Sequence, residues 1–205
     1  MISPRAVSPT ASNSVLPPFI LASASPRRLE LLARIGVIPD AVDPADLDES
    51  VRRGELPEPH VARLAAEKAA VVAARHPGAV VLAADTLVVA GRRILPKAED
   101  EETARQCLDL LGGRRHRVLT AVTVVAADGV ARHRISRTIV KVAPLTRQTI
   151  NAYIEGGEWR GKAGGYAIQG HFEAWISWIS GSFSGVMGLP LFETRALLTT
   201  AGRLG

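Results

Sequence analysis

The sequence predicts a mixed α/β fold, with strands and helices interleaved around a central sheet. Three observations support this prediction. Short apolar segments such as 80–84 alternate along the chain with segments of helical periodicity such as 60–75. Two longer segments, 118–125 and 130–142, alternate around the turn sequence "AADG", which is typical of an antiparallel hairpin. Apolar residues make up 47% of the 205 residues, enough for a substantial core.

Local signals set the expected elements in order. Ser25 suits a helix N-cap, Pro26 suits the first helical position, and Gly36 suits a helix end. The acidic, proline-containing segment 40–59 is predicted to be a loop. The strand at 80–84 is expected to end at Asp85-Thr86, and a further apolar stretch with a turn near Gly91 follows it. The predicted helices are 26–35, 60–75, 99–111, 146–155 and 190–200, and the predicted strands are 18–24, 80–84, 118–125, 130–142 and 172–179.

Composition limits the possible partners and location. The net charge of +5 favours an anionic partner, and no apolar run reaches the length of a membrane span. Aromatic residues are only 4% of the chain, which argues against stacking on single-stranded nucleic acid, although an RNA-binding module stays open on charge alone. One cysteine, Cys107, allows no internal disulfide, so we expect a reducing, cytoplasmic location.

The first 17 residues differ in composition from the rest of the chain. They are rich in Ser, Pro, Ala and Thr and contain no apolar segment of the signal-peptide kind. We expect residues 1–17 to be a mobile extension and residues 18–205 to form a single domain.

The sequence "SASPRR" is the first candidate for function. A helix N-terminus carries unpaired N–H groups and a positive dipole, so it attracts phosphate and disfavours nearby arginine. Ser23 and Ser25 add hydroxyls, and Arg27 and Arg28 add planar donors that match phosphate oxygens. The stretch is either a polyanion site or a capped helix with two solvated arginines.

Other candidates depend on single side chains. Asp85, after an apolar strand, could hold a metal or activate water, or it could cap a turn. Lys68 lies on the apolar stripe of its helix, so it either extends to solvent or meets an anion in a cleft. Lys97 and Lys162 are exposed lysines by default. Gln169 could present a donor and an acceptor to a nucleobase. The five histidines lack metal-site spacing.

Six segments taken together resemble one family. "LASASPRRLELLARIGV", "RLAAEKA", "AADTLVV", "HRVLTAV", "KAGGYAIQG" and "SGVMGLPLFET" follow the order found in the Maf family of nucleoside triphosphate pyrophosphatases. The resemblance covers about residues 18–202. It implies a fold similar to the inosine triphosphatases, with two lobes around a deep cleft. It also implies hydrolysis of a nucleoside triphosphate to the monophosphate and pyrophosphate with Mg²⁺ or Mn²⁺, and a homodimer with no nucleic-acid or membrane partner.

The resemblance assigns roles by position. Asp85 matches the proton acceptor, and Glu49 matches an acidic residue paired with it, so both are predicted metal ligands. Residues matching specificity positions are Arg27, Thr86 and Gln169, and those matching the polar, substrate-binding cleft are Ser23, Arg28, Lys68 and Lys97; we add Ser25 and Lys162 as substrate-binding. The order Pro96-Lys97-Ala98 and a loop one residue longer before Glu49 depart from the family pattern.

The resemblance also suggests the substrate. "KAGGYAIQG" is similar to the branch acting on dTTP and UTP. Within the enzyme class, the alternative substrates are 7-methyl-GTP and damaged purine triphosphates. A non-catalytic, nucleotide-binding regulator of cell division is the alternative outside the enzyme class, and the presence of Asp85 beside so many cationic residues favours the enzyme.

Overall fold

The fold centres on a seven-stranded mixed sheet. The structure is a computed structural model, and it describes residues 16–204; residues 1–15 of the predicted extension lie outside the described residues. The strands are β1 (Phe19–Leu21), β2 (Ala41–Val42), β3 (Val80–Ala90), β4 (Arg93–Leu95), β5 (Lys97–Ala98), β6 (Arg115–Val125), β7 (Ala131–Val142), β8 (Lys162–Ala163) and β9 (Ile176–Ser180). The mixed α/β prediction is confirmed.

Strand order explains why the sheet is mixed. The path is β2-β1-β3-β6-β7-β9, with β4 paired to β3 as well. β1 runs parallel to β2 and β3, whereas β3, β6, β7 and β9 pair antiparallel in turn. The predicted hairpin is the β6–β7 pair, joined at the expected turn. β5 and β8 form a separate two-stranded sheet.

Helices cover both faces of the sheet. They are α1 (Pro26–Arg34), α2 (Pro57–Arg75), α3 (Glu101–Leu111), α4 (Arg147–Gly156), α5 (Phe183–Met187) and α6 (Leu191–Thr200), with a 3₁₀ helix at His171–Trp175. Small and branched side chains of α2 pack on one face of β3, for example Ala69 and Val72 against Val81 and Ala83. The opposite face of the sheet holds the larger core. No helix among residues 16–204 is long and apolar enough to cross a membrane.

Several predicted boundaries were wrong. β3 does not end at Asp85 but continues to Ala90, because apolar residues follow Thr86 and β6 pairs along almost the whole strand. The predicted loop 40–59 contains β2, and α2 begins within it at Pro57. The predicted strand 172–179 is a 3₁₀ helix followed by β9. The short α5 was not predicted, nor were β4, β5 and β8, because two- to five-residue elements carry little periodicity.

The edge of β3 has a gap between two neighbours. β1 pairs with residues 80–82 of β3, and β4 pairs with residues 88–90. No described strand pairs with residues 83–87 on that side, although β6 covers their other side. Asp85 lies at the centre of this gap. A crevice therefore forms where one neighbouring strand ends, as at the ligand-binding edges of other α/β sheets.

An aromatic cluster supports the glycine-rich segment 164–170. Tyr153 accepts a hydrogen bond from the backbone N–H of Ala167 at 3.1 Å, and its ring packs on Phe172. Tyr166 packs on the same Phe172, and its hydroxyl lies 2.7 Å from Nε2 of the buried His116. Gly164 has φ +69°, and an added Cβ would lie 2.8 Å from a methyl group of Val88. The backbone at Gly164 therefore lies too close to Val88 to accommodate any larger residue at position 164.

Burial of His116 makes the stability pH-dependent. Burial lowers the pKa of His116 from 6.5 to about 4, and its Nδ1 is buried without a partner in the described chain. The unfolded state therefore binds more protons than the native state between these values, so stability falls as pH falls. We expect His116 to account for about 1.5 kcal/mol of lost unfolding free energy between pH 6.5 and roughly pH 5.

Urea denaturation at several pH values measures this loss. His116→Gln should flatten the pH dependence in that window, whereas the exposed His133→Gln should leave it as in the wild type. An unchanged slope in His116→Gln would contradict the assignment.

Candidate active site

A cavity of about 510 Å³ opens at the gap in the edge of β3. Its walls come from the β1–α1 connection, the loop before α2, the middle of β3, the β5–β8 pair and the end of α5. The structure brings all the predicted site residues to this cavity: Ser23, Ser25, Arg27, Arg28, Glu49, Lys68, Asp85, Thr86, Lys97, Lys162 and Gln169.

Asp85 and Lys68 form the buried centre of the site. Asp85 points to the α2 side of β3, and the Lys68 ammonium lies 2.6 Å from its Oδ1. The side chains of Lys68 and Asp85 are only 10% and 8% exposed. Of the two interpretations of Lys68, the structure supports the cleft: the ammonium remains in the cavity with an acidic partner instead of extending to solvent.

Glu49 extends this centre toward the cavity mouth. Its Oε1 lies 2.5 Å from the Lys68 ammonium, and its Oε2 accepts from Lys97 at 2.9 Å. Partial burial tends to raise the pKa of Glu49, but the hydrogen bonds from Lys68 and Lys97 outweigh it and hold the pKa at about 2. Glu49 is therefore ionised at neutral pH. Two carboxylates, one from a strand and one from a loop, share a single ammonium.

The start of α1 forms the second wall. Ser25 is the N-cap, as predicted, but its side chain makes no capping hydrogen bond. Ser23 Oγ instead accepts from the Ser25 N–H at 3.2 Å and from Arg28 Nη1 at 2.8 Å. The first turn of α1 has no acidic residue to balance the dipole. The helix start therefore keeps its positive character toward the cavity.

The two arginines have internal partners that the sequence reasoning missed. Arg28 Nε donates to the carbonyl oxygen of Gly188 at 2.9 Å, and Arg27 Nε donates to that of Met187 at 3.3 Å. These carbonyls end α5, which was not predicted. Both arginines therefore have acceptors within the protein at the helix start, so they are not simply solvated as one of the two interpretations of "SASPRR" had it. Each guanidinium has five N–H donors, so donors remain for a ligand.

Burial also disfavours the charged form of these two arginines. It lowers the pKa of the Arg28 guanidinium, while the charge of Asp85 acts in the opposite direction. Burial lowers the pKa of Arg27 as well. Desolvated guanidinium groups gain more from pairing with an anion than solvated ones do.

Thr86 lies on the opposite face of β3 from Asp85. Its Oγ1 is 3.0 Å from Oγ1 of Thr120 on β6, and the Thr120 hydroxyl donates to the Gly185 carbonyl at 2.7 Å. Thr120 therefore connects β3 to α5. Thr120 was not predicted as a site residue because its pairing with Thr86 follows from strand register, which the sequence alone does not give.

The 160–169 segment forms the outer wall. Pairing of β5 with β8 places Lys97 opposite Ala163, so the segments carrying Lys97 and Lys162 are adjacent. Burial lowers the pKa of Lys162, and the nearby Arg27 lowers it further. Gln169 is exposed at the cavity, directly after the buried Ile168.

Arg160 is a further cation that the sequence analysis missed. It lines the cavity, and its guanidinium stacks 4.5 Å over the ring of the buried Trp159. The signal was present in the adjacent Trp-Arg pair of "EWRGK", since arginine often stacks on tryptophan.

Charge and size together define the ligand class. Among the described residues, six cationic side chains and only two carboxylates line the cavity, namely Arg27, Arg28, Lys68, Lys97, Arg160 and Lys162 against Glu49 and Asp85. The volume lies within the range of about 300–1,000 Å³ that small-molecule sites occupy. The fold therefore carries a crevice whose charge and size suit a small polyanion.

Comparison with known proteins identifies the family. The model of the family described as Maf-like protein matches residues 18–201. The chain belongs to the Maf family, and the family prediction from sequence is confirmed.

Relatives include proteins named dTTP/UTP pyrophosphatase. That of Novosphingobium aromaticivorans is 61% identical, over 95% of this chain and 96% of its own length. That of Rhodospirillum rubrum is 56% identical, over 90% of this chain and 88% of its own length. A solved structure named nucleoside-triphosphatase / dITP/XTP pyrophosphatase, from Mycobacterium abscessus, has a TM-score of 0.41 and 21% identity, covering 62% of this chain and 74% of its own.

Breaking the buried ion pair should destabilise the fold. Lys68→Met leaves the buried Asp85 carboxylate without its ammonium partner, so we expect a loss of about 3 kcal/mol of unfolding free energy. Adding Asp85→Asn should recover part of that loss, because the unpaired charge is removed.

Urea denaturation of the two single variants and the double variant measures this coupling. Arg34→Met is the control, since its pair with Glu30 is exposed and should contribute less than about 1 kcal/mol. Additive losses in the double variant would show that the pair is not energetically coupled.

Proposed function

We propose that this protein hydrolyses dTTP and UTP to the nucleoside monophosphate and pyrophosphate. The observation that carries the proposal is the pair of carboxylates, Asp85 and Glu49, held by Lys68 inside a cavity that is otherwise cationic. A pure anion-binding site would not need acidic groups at its centre. The relatives named dTTP/UTP pyrophosphatase support the same reaction and the same nucleotides.

The triphosphate is proposed to lie between the start of α1 and the lysine-bearing segments. Arg27 and Arg28 have free N–H donors beside the positive end of α1, which suits phosphate oxygens. Lys97 and Lys162 lie on the paired strands β5 and β8 across the cavity. Cations on both sides of the cavity would hold the chain of phosphates extended.

The residues present fit a divalent metal, either Mg²⁺ or Mn²⁺. Asp85 and Glu49 both contact the same ammonium nitrogen, so their carboxylates converge on one point. Within residues 16–204 no cluster of three acidic, histidine or cysteine side chains forms a closed metal cage. Mg²⁺ normally binds through one or two carboxylates together with substrate phosphates. When bound, the metal would neutralise phosphate charge and make water more acidic.

The chain's own groups would then complete the reaction. Asp85, fixed on a rigid strand and on the Lys68 ammonium, accepts the proton of the water that attacks the α-phosphorus. The bond from the α-phosphorus to the bridging oxygen breaks, and pyrophosphate leaves with that electron pair. Lys97 and Lys162 neutralise the charge that develops on the leaving group.

Residues on three walls of the cavity would select the nucleobase of the substrate. Gln169 offers a donor and an acceptor from the exposed end of the glycine-rich segment, and Thr86 and Arg27 face the cavity from β3 and α1. The aromatic cluster packs behind the residues that lead into Gln169, at Tyr166 and Ala167. Homodimer formation and a cytoplasmic location remain predictions from the sequence.

Asp85→Asn tests the catalytic role directly. The amide keeps the side-chain volume but cannot accept a proton, so we expect pyrophosphate release from dTTP and UTP to fall to less than roughly a tenth of the wild-type rate. Asp128→Asn, in the β6–β7 turn, is the control and should keep full activity.

A panel of nucleoside triphosphates with Mg²⁺ or Mn²⁺ tests the substrate. If pyrophosphate is released from purine triphosphates or 7-methyl-GTP and not from the pyrimidine triphosphates, the proposed reaction stands but the role assigned to Gln169 is wrong. Nucleotide binding without any pyrophosphate release would instead support the alternative of a non-catalytic, nucleotide-binding regulator.

Arg28→Lys tests phosphate binding. Lysine keeps the charge but loses the planar pair of donors, so we expect KM to rise by about 10-fold with little change in kcat. Arg34→Lys, on the exposed side of α1, serves as the control. A loss confined to kcat would show that Arg28 meets charge that develops only in the transition state.

A further inference from the structure

We infer that Arg63 on α2 is a positioning residue that holds the Glu49 carboxylate beside Asp85. The inference rests on the proposed metal-binding role of Glu49. Arg63 lines no part of the cavity and carries no predicted function, yet its side chain is only 14% exposed and is bonded on all three nitrogens. Such a buried, fully engaged arginine normally fixes the backbone or a carboxylate near it.

Arg63 forms a two-bond fork with Glu55. Nε donates to Oε1 at 2.7 Å and Nη2 donates to Oε2 at 2.8 Å. The Glu55 side chain is 10% exposed, and Nδ1 of the buried His60 lies 2.9 Å from its Oε2. Arg63 Nη1 also bonds to Glu67, one turn further along α2. The guanidinium is therefore fixed relative to the helix.

The same guanidinium holds the loop at the residue after Glu49. Arg63 Nη2 donates to the carbonyl oxygen of Ser50 at 3.1 Å. Asp48 accepts from the Ser50 N–H at 2.9 Å and lies 3.0 Å from its hydroxyl, so a tight turn encloses Glu49. Residues 43–56 form no helix or strand, so these contacts replace the sheet or helix bonds that would otherwise orient the carboxylate.

One helix therefore supports Glu49 at two points. Arg63 holds its backbone through Ser50, and Lys68 holds its carboxylate. The two residues are five positions apart on α2, which places them about 7.5 Å apart along the axis. Because α2 also packs on β3, this spacing sets the Glu49 carboxylate relative to Asp85. Without Arg63, the lysines alone would hold a side chain that is 39% exposed on a loop without regular structure.

Mn²⁺ binding tests the inference without turnover. The free Mn²⁺ is measured by electron paramagnetic resonance in the presence of α,β-imido-dUTP, which is not cleaved. Residues that orient metal ligands typically change metal affinity about 10- to 100-fold when replaced. We expect Arg63→Met to weaken Mn²⁺ binding about 10-fold, and Glu55→Gln, which loosens the fork, to weaken it in the same direction.

A double-mutant cycle separates positioning from general structural damage. In a Glu49→Gln background, Arg63→Met should cause no further loss of Mn²⁺ affinity, because the group it positions is already altered. Arg75→Met is the matched control: it removes a second arginine contact to the same loop, at Asp43 and Pro44, and should change the affinity less than about 2-fold. Thermal unfolding of every variant verifies that it is folded; if Arg63→Met is not, Glu55→Gln takes its place in the cycle.

The outcomes distinguish the positioning role of Arg63 from the metal role of Glu49. If Glu49→Gln weakens Mn²⁺ binding but Arg63→Met and Glu55→Gln do not, the positioning role is wrong and the metal site stands. The positioning role is also wrong if the losses from Arg63→Met and Glu49→Gln are additive, or if Arg75→Met matches Arg63→Met. If Glu49→Gln leaves Mn²⁺ affinity unchanged, the metal role of Glu49 fails, and the inference fails with it.

Discussion

The Lys68 ammonium, shared by Asp85 and Glu49, is the interaction on which the site depends. It joins the charged groups of three parts of the chain at one point: the middle of a strand, a long helix and an irregular loop. Burying a single charge here would be costly, but one ammonium between two carboxylates satisfies all three groups. The site is therefore arranged before any ligand binds, and a polyanion or metal would exchange existing charge contacts for new ones.

The shape of the cavity follows from unequal strand lengths. β3 has eleven residues, whereas its neighbours β1 and β4 have three each and cover only its ends. The uncovered middle of β3 projects alternate side chains to both faces of the sheet, so Asp85 and Thr86 lie in the same crevice from opposite sides. Because β6 holds β3 along its other edge, the crevice has a rigid floor.

Opposed helix ends explain how the positive charge is tolerated. The start of α1 and the end of α5 meet at the cavity, so Arg27 and Arg28 each donate from Nε to a terminal carbonyl of α5. The partial negative charge of those carbonyls stabilises the two guanidinium groups. This contact also keeps the arginine side chains extended toward the crevice, which reduces the entropy lost when an anion binds.

The sequence by itself determined the family, the mixed α/β class and eleven of the polar and charged residues that line the cavity, although not Arg160. Periodicity and capping signals are local, so α1, α3 and the β6–β7 hairpin could be predicted within a few residues. The tertiary structure alone decided that β3 runs through Asp85, that α5 supplies partners for the arginines, and that Arg63 holds the loop before α2. Each of these depends on contacts between residues distant in sequence, such as Arg28 with Gly188. Local patterns carry no information about such pairs, because packing and strand register determine them only when the whole chain is folded.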